Sequence, residues 1–133
     1  WVNDSIATAP ERVIAALNAF EAPIVLLAGG RDKDLPWDAF ARLALARVRV
    51  LILFGEAAPL IASQVREAQA AAGSSTLERI VDAGALASAV QRAAELAEAG
   101  DVVLLSPGGT SFDAYQDFAE RGEHFRTMIR QLP

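Results

Sequence analysis

The sequence contains no cysteine and a single histidine, His124, among its 133 residues. The absence of cysteine excludes disulfide bonds, thiolate nucleophiles and cysteine-ligated zinc. One histidine alone cannot form a histidine-rich metal cluster. We therefore expect a fold that is stabilised by its apolar core, without covalent or metal cross-links, in keeping with a reducing compartment.

Basic residues are also scarce: 12 Lys and Arg stand against 17 Asp and Glu, which gives a net charge of −5. Nucleic-acid binding needs clustered Lys and Arg for phosphate contacts, and the sequence has no basic run. No apolar stretch approaches the length of a membrane span, and no signal-peptide pattern is present. These absences predict a soluble protein with neither a nucleic-acid nor a membrane partner.

What the sequence does have is a high apolar content, with 53% hydrophobic residues. A chain of this length fits one domain and buries roughly two-thirds of its unfolded surface. The chain opens on Trp1 without an initiator methionine, inside what reads as a strand. We expect residues 1–133 to form one domain that is a fragment of a longer protein.

Continuous apolar runs at residues 24–28, 50–54 and 102–105 predict strands that are covered on both faces, and residues 79–81 are predicted to form a short further strand. Between them, apolar residues recur at helical spacing. Single helices between buried strands require right-handed crossovers and a parallel sheet. The predicted fold is α/β and Rossmann-like: a doubly wound, mostly parallel sheet with helices on both faces.

Two helix ends are predicted from local patterns. The segment Thr8–Glu11 has the spacing of a capping box for the first helix. The last helix is expected to carry Tyr115, Phe118, Gly122 and Phe125 on one apolar face, because they step by three and four residues. It would then begin soon after Ser111, with Asp113 near its positive end.

Ligands of doubly wound sheets bind beyond the carboxyl ends of the strands, which selects the loops at residues 5–8, 29–36 and 106–112. Asp4, Ser5 and Thr8 suit either a turn and helix cap or a ligand site. Residues 29–33 contain neither a Walker loop nor a dinucleotide-binding motif. Residues 106–111 combine glycines and hydroxyls before a helix, an arrangement that attracts a carboxylate or phosphate, with Lys33 as countercharge.

Several polar residues are expected to have no binding role. His124 and the acids Asp32 and Asp34 are predicted to be solvated. Glu56 is predicted to be a helix-entry acid, favoured by the helix dipole.

Three segments in order resemble the C-terminal domain of the ligases that add D-glutamate to UDP-N-acetylmuramoyl-L-alanine, in the Mur ligase family. They are Asn3–Thr8, Gly29–Lys33 and Leu104–Asp113, followed by Phe118 and Glu120–Gly122. The family's versions read approximately N-D-S-K-A-T, G-G-x-D-K and L-L-S-P-A-x-A-S-F-D. Order and spacing agree over nearly the whole chain, which makes the combination specific.

The resemblance implies an ATP-dependent, cytoplasmic bacterial enzyme of peptidoglycan precursor synthesis. ATP and Mg²⁺ would be bound mainly by a central domain outside this chain, and no cofactor is expected in the fragment alone. UDP-N-acetylmuramoyl-L-alanine would also be held through the other domains. This domain would bring D-glutamate and close over the ATP site, and by itself it would be inactive.

Residue by residue, the resemblance implies that Thr8 and Lys33 contact the α-carboxylate of D-glutamate. Ser111, with Phe112 and the backbone near Phe118, would contact its side-chain carboxylate. Asp4 would reach the nucleotide ribose. No residue of the chain is implied as a catalytic base or a metal ligand.

Two departures from the family pattern are evident. Ile6 stands where many members have lysine, and Gly108-Gly109-Thr110 replaces a small apolar run.

Two alternative functions remain open. The first is that of the C-terminal domain of a sister ligase, although the D-N-P-R segment of the enzymes that add meso-diaminopimelate or lysine is absent. The second is that of a non-catalytic α/β module that binds an anion or another small molecule.

Overall fold

The structure, a computed structural model, describes all residues from Trp1 to Pro133. Five strands and five helices alternate along the chain. In chain order they are β1 (Val2–Asn3), α1 (Pro10–Asn18), β2 (Ile24–Gly29), α2 (Asp38–Arg47), β3 (Val48–Phe54), α3 (Ala58–Ala71), β4 (Arg79–Gly84), α4 (Leu86–Leu96), β5 (Val102–Gly108) and α5 (Phe118–Arg130).

The five strands form one sheet in the order β1-β5-β2-β3-β4, and every neighbouring pair is parallel. The central strand β2 is buried along its whole length. Alternate residues of a strand face opposite sides of the sheet, so this strand contributes to two core layers. None of the helices combines the length and the apolarity that a membrane span requires.

The two core layers lie on opposite faces of the sheet. Leu26 on β2 packs in one layer with residues of α1, α2 and α3, including Leu17, Phe40 and Ile61. Leu27, the next residue along β2, packs in the other layer with residues of α4 and α5, among them Phe125. Helices on both faces of a parallel sheet confirm the prediction of a doubly wound α/β fold.

The predicted capping box of the first helix is wrong. Helix α1 begins at Pro10, its N-cap residue is Ala9, and no side chain caps it. Proline is favoured at the first helical position, and the residue before a proline is held in an extended conformation, as an N-cap residue is. Pro10 therefore places the cap one residue later than Thr8, which leaves the Thr8 hydroxyl free of a capping role.

The start of the last helix was also predicted wrongly. Helix α5 begins at Phe118, and the Asp117 side chain caps it by accepting a hydrogen bond from the Glu120 amide at 2.8 Å. Tyr115 and Asp113 therefore precede the helix. The positive end of the α5 dipole lies at Asp117, several residues beyond Ser111.

Two strands extend further than their apolar runs indicated. Strand β5 continues through Ser106 to Gly108, and β4 continues to Gly84. Ser106 is fully buried, and its hydroxyl donates a hydrogen bond to Asp4 Oδ2 at 2.8 Å. This partner makes the burial of a polar side chain tolerable. A prediction from hydrophobicity alone therefore ends the strand too early.

Away from the carboxyl edge of the sheet, Arg49 on β3 ties the α4–β5 turn to the sheet. Its Nη2 donates to Asp101 Oδ2 at 2.6 Å and to the Leu96 carbonyl at 2.8 Å, and its Nη1 donates to Glu78 at 3.0 Å. Burial by itself raises the pKa of Asp101, but the hydrogen bonds from Arg49 and from the Glu98 amide together lower it.

We expect Asp101→Asn to lower the free energy of unfolding by about 1.5 kcal/mol at pH 7, because a charge-assisted hydrogen bond is lost. A lowered folded-state pKa stabilises the protein above the unfolded-state value of about 4, and this contribution disappears as pH falls further. The difference between wild type and variant should therefore shrink as the pH falls below about 4. Urea denaturation across this range measures it.

Asp38→Asn is the matched control, because its pair with Arg42 is exposed and spans 3.6 Å. It should change stability by less than about 0.5 kcal/mol. Equal unfolding free energies for wild type and Asp101→Asn at every pH would contradict the assignment.

Candidate functional site at the strand ends

The three predicted loops lie side by side, because they follow the neighbouring strands β1, β5 and β2. Backbone hydrogen bonds join them across the sheet edge. The Gly108 amide donates to the Ala7 carbonyl at 2.8 Å, and Arg31 and Thr110 exchange two hydrogen bonds in an isolated bridge. The strand ends thus bring residues from distant parts of the sequence to one place.

Asp4 is fixed at the junction of the first two loops. Its amide donates to the Leu105 carbonyl at 2.7 Å, and its Oδ2 accepts from the Ser106 hydroxyl at 2.8 Å. One carboxylate oxygen is thereby held by β5. Thr8, four residues further, is half-buried, and Ile6 between them is exposed.

The loop after β2 presents Lys33 to solvent. Asp32, predicted to be solvated, is half-buried, and its Oδ1 accepts a hydrogen bond from Trp37 Nε1 at 2.9 Å. The Trp37 ring is buried and packs edge-on against Phe40 at a centroid distance of 5.2 Å. Asp32 therefore anchors the loop to the core beside Lys33, whose own side chain is exposed and makes no ion pair or hydrogen bond.

The loop after β5 carries Ser111 and Phe112. Ser111 is buried, with 1% of its surface exposed, whereas Phe112 is 61% exposed. The amides of Ser111, Phe112 and Asp113 donate to no group of the chain, while the Ser111 carbonyl accepts from the Ala114 and Tyr115 amides. The helix start expected next to Ser111 lies at Phe118 instead. A turn whose amides at residues 111–113 donate to no group of the chain occupies this position.

Phe118 lies at the start of α5, next to the loop after β1. Its carbonyl accepts a hydrogen bond from the Ser5 hydroxyl at 2.8 Å, and its ring is partly exposed. Together with Asn3, Ile6 and Gly122 it lines a small cavity of about 290 Å³. The backbone near Phe118 is thus joined to the first loop.

Charged residues surround the site at the ends of β2 and β3. Arg31 forms a two-point ion pair with Glu56, with both N–O distances at 3.0 Å, and Asp113 accepts from the Glu56 amide at 3.2 Å. The hydrogen bond from Arg31 lowers the pKa of Glu56. Glu56 lies just before α3, as predicted for a helix-entry acid, and it is also paired with Arg31. Asp113, predicted at the start of the last helix, precedes that helix.

Sequence reasoning assigned no role to Arg121, although it quoted the segment Glu120–Gly122. Arg121 is fully buried, and its guanidinium donates to the Ser5 hydroxyl, the Ser5 carbonyl and the Gly109 carbonyl at 3.0, 2.9 and 3.2 Å. Burial lowers the pKa of Arg121 to about 10, which leaves it charged at neutral pH. Arg121 thus connects the loop after β1 to the loop after β5.

No group of three or more His, Cys, Asp or Glu side chains is placed to hold a metal ion. His124 is exposed, as predicted, and its Nδ1 lies 2.6 Å from the Tyr115 hydroxyl. Burial raises the pKa of that hydroxyl. The groups at the strand ends that have no partner within the chain include the Lys33 ammonium and the amides of residues 111–113.

The sheet order and the helices on both faces define a Rossmann-like domain, a class in which ligands generally bind beyond the carboxyl ends of the strands. The family model described as "Mur ligase, glutamate ligase domain" matches residues 1–109. The chain belongs to this family.

Three relatives share the name UDP-N-acetylmuramoylalanine–D-glutamate ligase. The protein of Symbiobacterium thermophilum is 47% identical over 99% of this chain and 28% of its own length, and that of Acetivibrio thermocellus is 39% identical over the same shares. The protein of Desulfitobacterium hafniense is 41% identical over 98% of this chain and 27% of its own length. The chain thus spans little more than a quarter of the relatives that it matches.

Proposed function

We propose that residues 1–133 are the amino-acid-binding domain of a longer ATP-dependent ligase that joins D-glutamate to UDP-N-acetylmuramoyl-L-alanine. The observation that carries the proposal is the meeting of the three motif-bearing loops at one sheet edge, where Lys33 and the free amides of residues 111–113 are available to a dianionic amino acid. The names of the three relatives support the same substrate.

In this proposal Thr8 and Lys33 bind the α-carboxylate, and Ser111 with Phe112 and the Phe118 backbone binds the side-chain carboxylate. The role of the domain is to orient the amine of D-glutamate toward an acyl phosphate formed elsewhere in the enzyme. Such orientation supplies several kcal/mol of a barrier through effective molarity. No residue here needs to act as the base.

ATP and Mg²⁺ belong, in the same proposal, to domains outside this chain. From this domain Asp4 contributes the contact to the ribose, because its second carboxylate oxygen is not used by Ser106. UDP-N-acetylmuramoyl-L-alanine is likewise bound by the other domains. We place the enzyme in the bacterial cytoplasm, where its nucleotide-linked substrate is made.

The free amides at residues 111–113 also favour a second candidate, an α/β module that binds a phosphate-containing metabolite. The two candidates differ in whether the site distinguishes D-glutamate from L-glutamate. An amino-acid site fixes the amine and two carboxylates together, whereas a phosphate site has no reason to distinguish the enantiomers of glutamate.

The test uses the intact protein with ATP, Mg²⁺, UDP-N-acetylmuramoyl-L-alanine and isotopically labelled glutamate. We expect label to enter the nucleotide product with D-glutamate, and about a hundredfold more slowly with L-glutamate. The isolated 133-residue chain, as control, should release no phosphate from ATP. Equal use of both enantiomers, or of neither, would overturn the proposal.

A further inference from the structure

Arg121 is the largest of the fully buried side chains, and all of its hydrogen bonds go to uncharged groups. No carboxylate lies within ion-pair distance of the guanidinium, although the charge of Asp113 favours its protonated form. Burial of a charge without a direct ion pair is expensive, so the position demands a specific reason. The guanidinium offers five N–H donors in a rigid fork, which allows one side chain to fix several backbone segments at once.

The contacts of Arg121 reach all three loops. It donates to the side chain and the carbonyl of Ser5, and to the carbonyl of Gly109. Its Nη1 also lies against Gly30, where an added Cβ would come within 2.9 Å of that nitrogen. Each contacted residue lies two or three positions before a proposed ligand residue: Thr8, Ser111 and Lys33, respectively.

We propose that Arg121 is a positioning residue for the D-glutamate site, setting the spacing of the loops that carry Thr8, Lys33 and Ser111. This inference rests on the proposed function. Arg121 itself is buried and does not touch the ligand. It acts through the backbone of Ser5, Gly30 and Gly109. The positions proposed for both carboxylates of D-glutamate therefore depend on Arg121.

Asp4 depends much less on Arg121, because the β5 residues Leu105 and Ser106 hold its amide and its carboxylate. Loss of Arg121 should therefore disturb the amino-acid contacts and leave the proposed ribose contact in place. This difference separates positioning from a general loss of stability, which would affect both substrates alike.

The experiment compares Arg121→Lys and the milder Ser5→Ala with Arg130→Met in the intact protein. Ser5→Ala removes the hydroxyl that accepts from Arg121 Nε and donates to the Phe118 carbonyl, and it leaves the guanidinium in place. Arg130 is an exposed arginine on the same helix and serves as the control. Steady-state kinetics give the KM for D-glutamate and for ATP, and hydrogen exchange reports the Gly108 and Thr110 amides, which bridge the loops.

We expect Arg121→Lys and Ser5→Ala to raise the D-glutamate KM at least about tenfold with the ATP KM within about twofold. Exchange of the Gly108 and Thr110 amides should accelerate by a similar factor while the β3 amides keep their protection. Arg130→Met should match wild type in both measurements.

Wild-type loop exchange and KM values in both test variants would overturn the inference. So would a fall in kcat with both KM values unchanged and faster exchange throughout the sheet, since that pattern describes a residue needed only for stability. If the wild-type protein does not use D-glutamate, the proposed function fails, and loop exchange alone decides whether Arg121 sets the loop spacing.

Discussion

Gly29→Ala is expected to destabilise the domain by about 4 kcal/mol or more, the largest effect that we predict for a single methyl group. Gly29 ends β2 and pairs with Phe54 on β3. A Cβ at this position would lie 1.8 Å from the Phe54 carbonyl oxygen and 2.8 Å from its carbonyl carbon. Because both obstacles are backbone atoms, the overlap is relieved only by a shift of the β2 or β3 backbone, and the φ of +150° at Gly29 is itself unfavourable for alanine.

The expected loss approaches the whole stability of a small domain, about 5 to 15 kcal/mol, so the variant should be largely unfolded or have a greatly lowered urea midpoint. Two other glycines isolate the cause. A Cβ at Gly73 would meet no atom within 4 Å, so Gly73→Ala should be as stable as wild type. A Cβ at Gly84 would also meet no atom, but Gly84 has a φ of +80°. Gly84→Ala should therefore show the conformational cost alone, about 1 kcal/mol. A Gly29→Ala variant no less stable than Gly84→Ala would show that the strands can separate at little cost.

The sequence predicts the sheet well because burial leaves a direct trace in composition. Strand β2 is apolar from Ile24 to Ala28 since both of its faces are covered, and the same holds for most of β3. Alternation of such strands with helices restricts the topology to a few arrangements. The strand ends, and hence the three loops, follow directly.

Helix boundaries were harder to predict because two local signals competed. At α1 the Thr8–Glu11 spacing favoured a cap at Thr8, but Pro10 fixed the first helical position and placed the cap at Ala9. Before α5, Tyr115 continued the apolar spacing of the helix, while Asp117 and Glu120 carried the true capping signal three residues apart.

The pattern could not reveal Arg121, because arginine is normally exposed and its burial depends on tertiary partners. Its acceptors, Ser5 and Gly109, are 116 and 12 residues away in sequence. The same reason applies to Asp32, whose partner Trp37 is close in sequence but whose geometry depends on a loop that no periodicity describes. The individual ligand contacts remain predictions from the family resemblance.

The second large effect is expected at Lys33. Lys33→Ala in the intact protein should raise the D-glutamate KM about tenfold to more than a hundredfold, because a charge-assisted hydrogen bond of about 1.5 to 3 kcal/mol is lost. The ATP KM should stay within about twofold of wild type, since the proposed nucleotide contact, Asp4, is anchored to β5 and not to this loop.

Lys33 is a favourable position for this measurement because its side chain is exposed and makes no ion pair in the domain. Its removal should leave the melting temperature unchanged, so a kinetic effect cannot be attributed to unfolding. Arg130→Ala removes another exposed cation, far along the sequence, and controls for the change in net charge. Lys33→Arg retains the charge but changes its geometry, and should recover part of the affinity.

Inhibition by inorganic phosphate separates the ligase site from a general anion site. If Lys33 binds the α-carboxylate of an amino acid held at several points, Lys33→Ala weakens D-glutamate use more than phosphate inhibition, because phosphate can still bind at the free amides of residues 111–113. Equal weakening of both would favour the phosphate-binding module. An unchanged D-glutamate KM and kcat, with a wild-type melting temperature, would show that Lys33 is an ordinary solvated charge and remove the lysine from the proposed site.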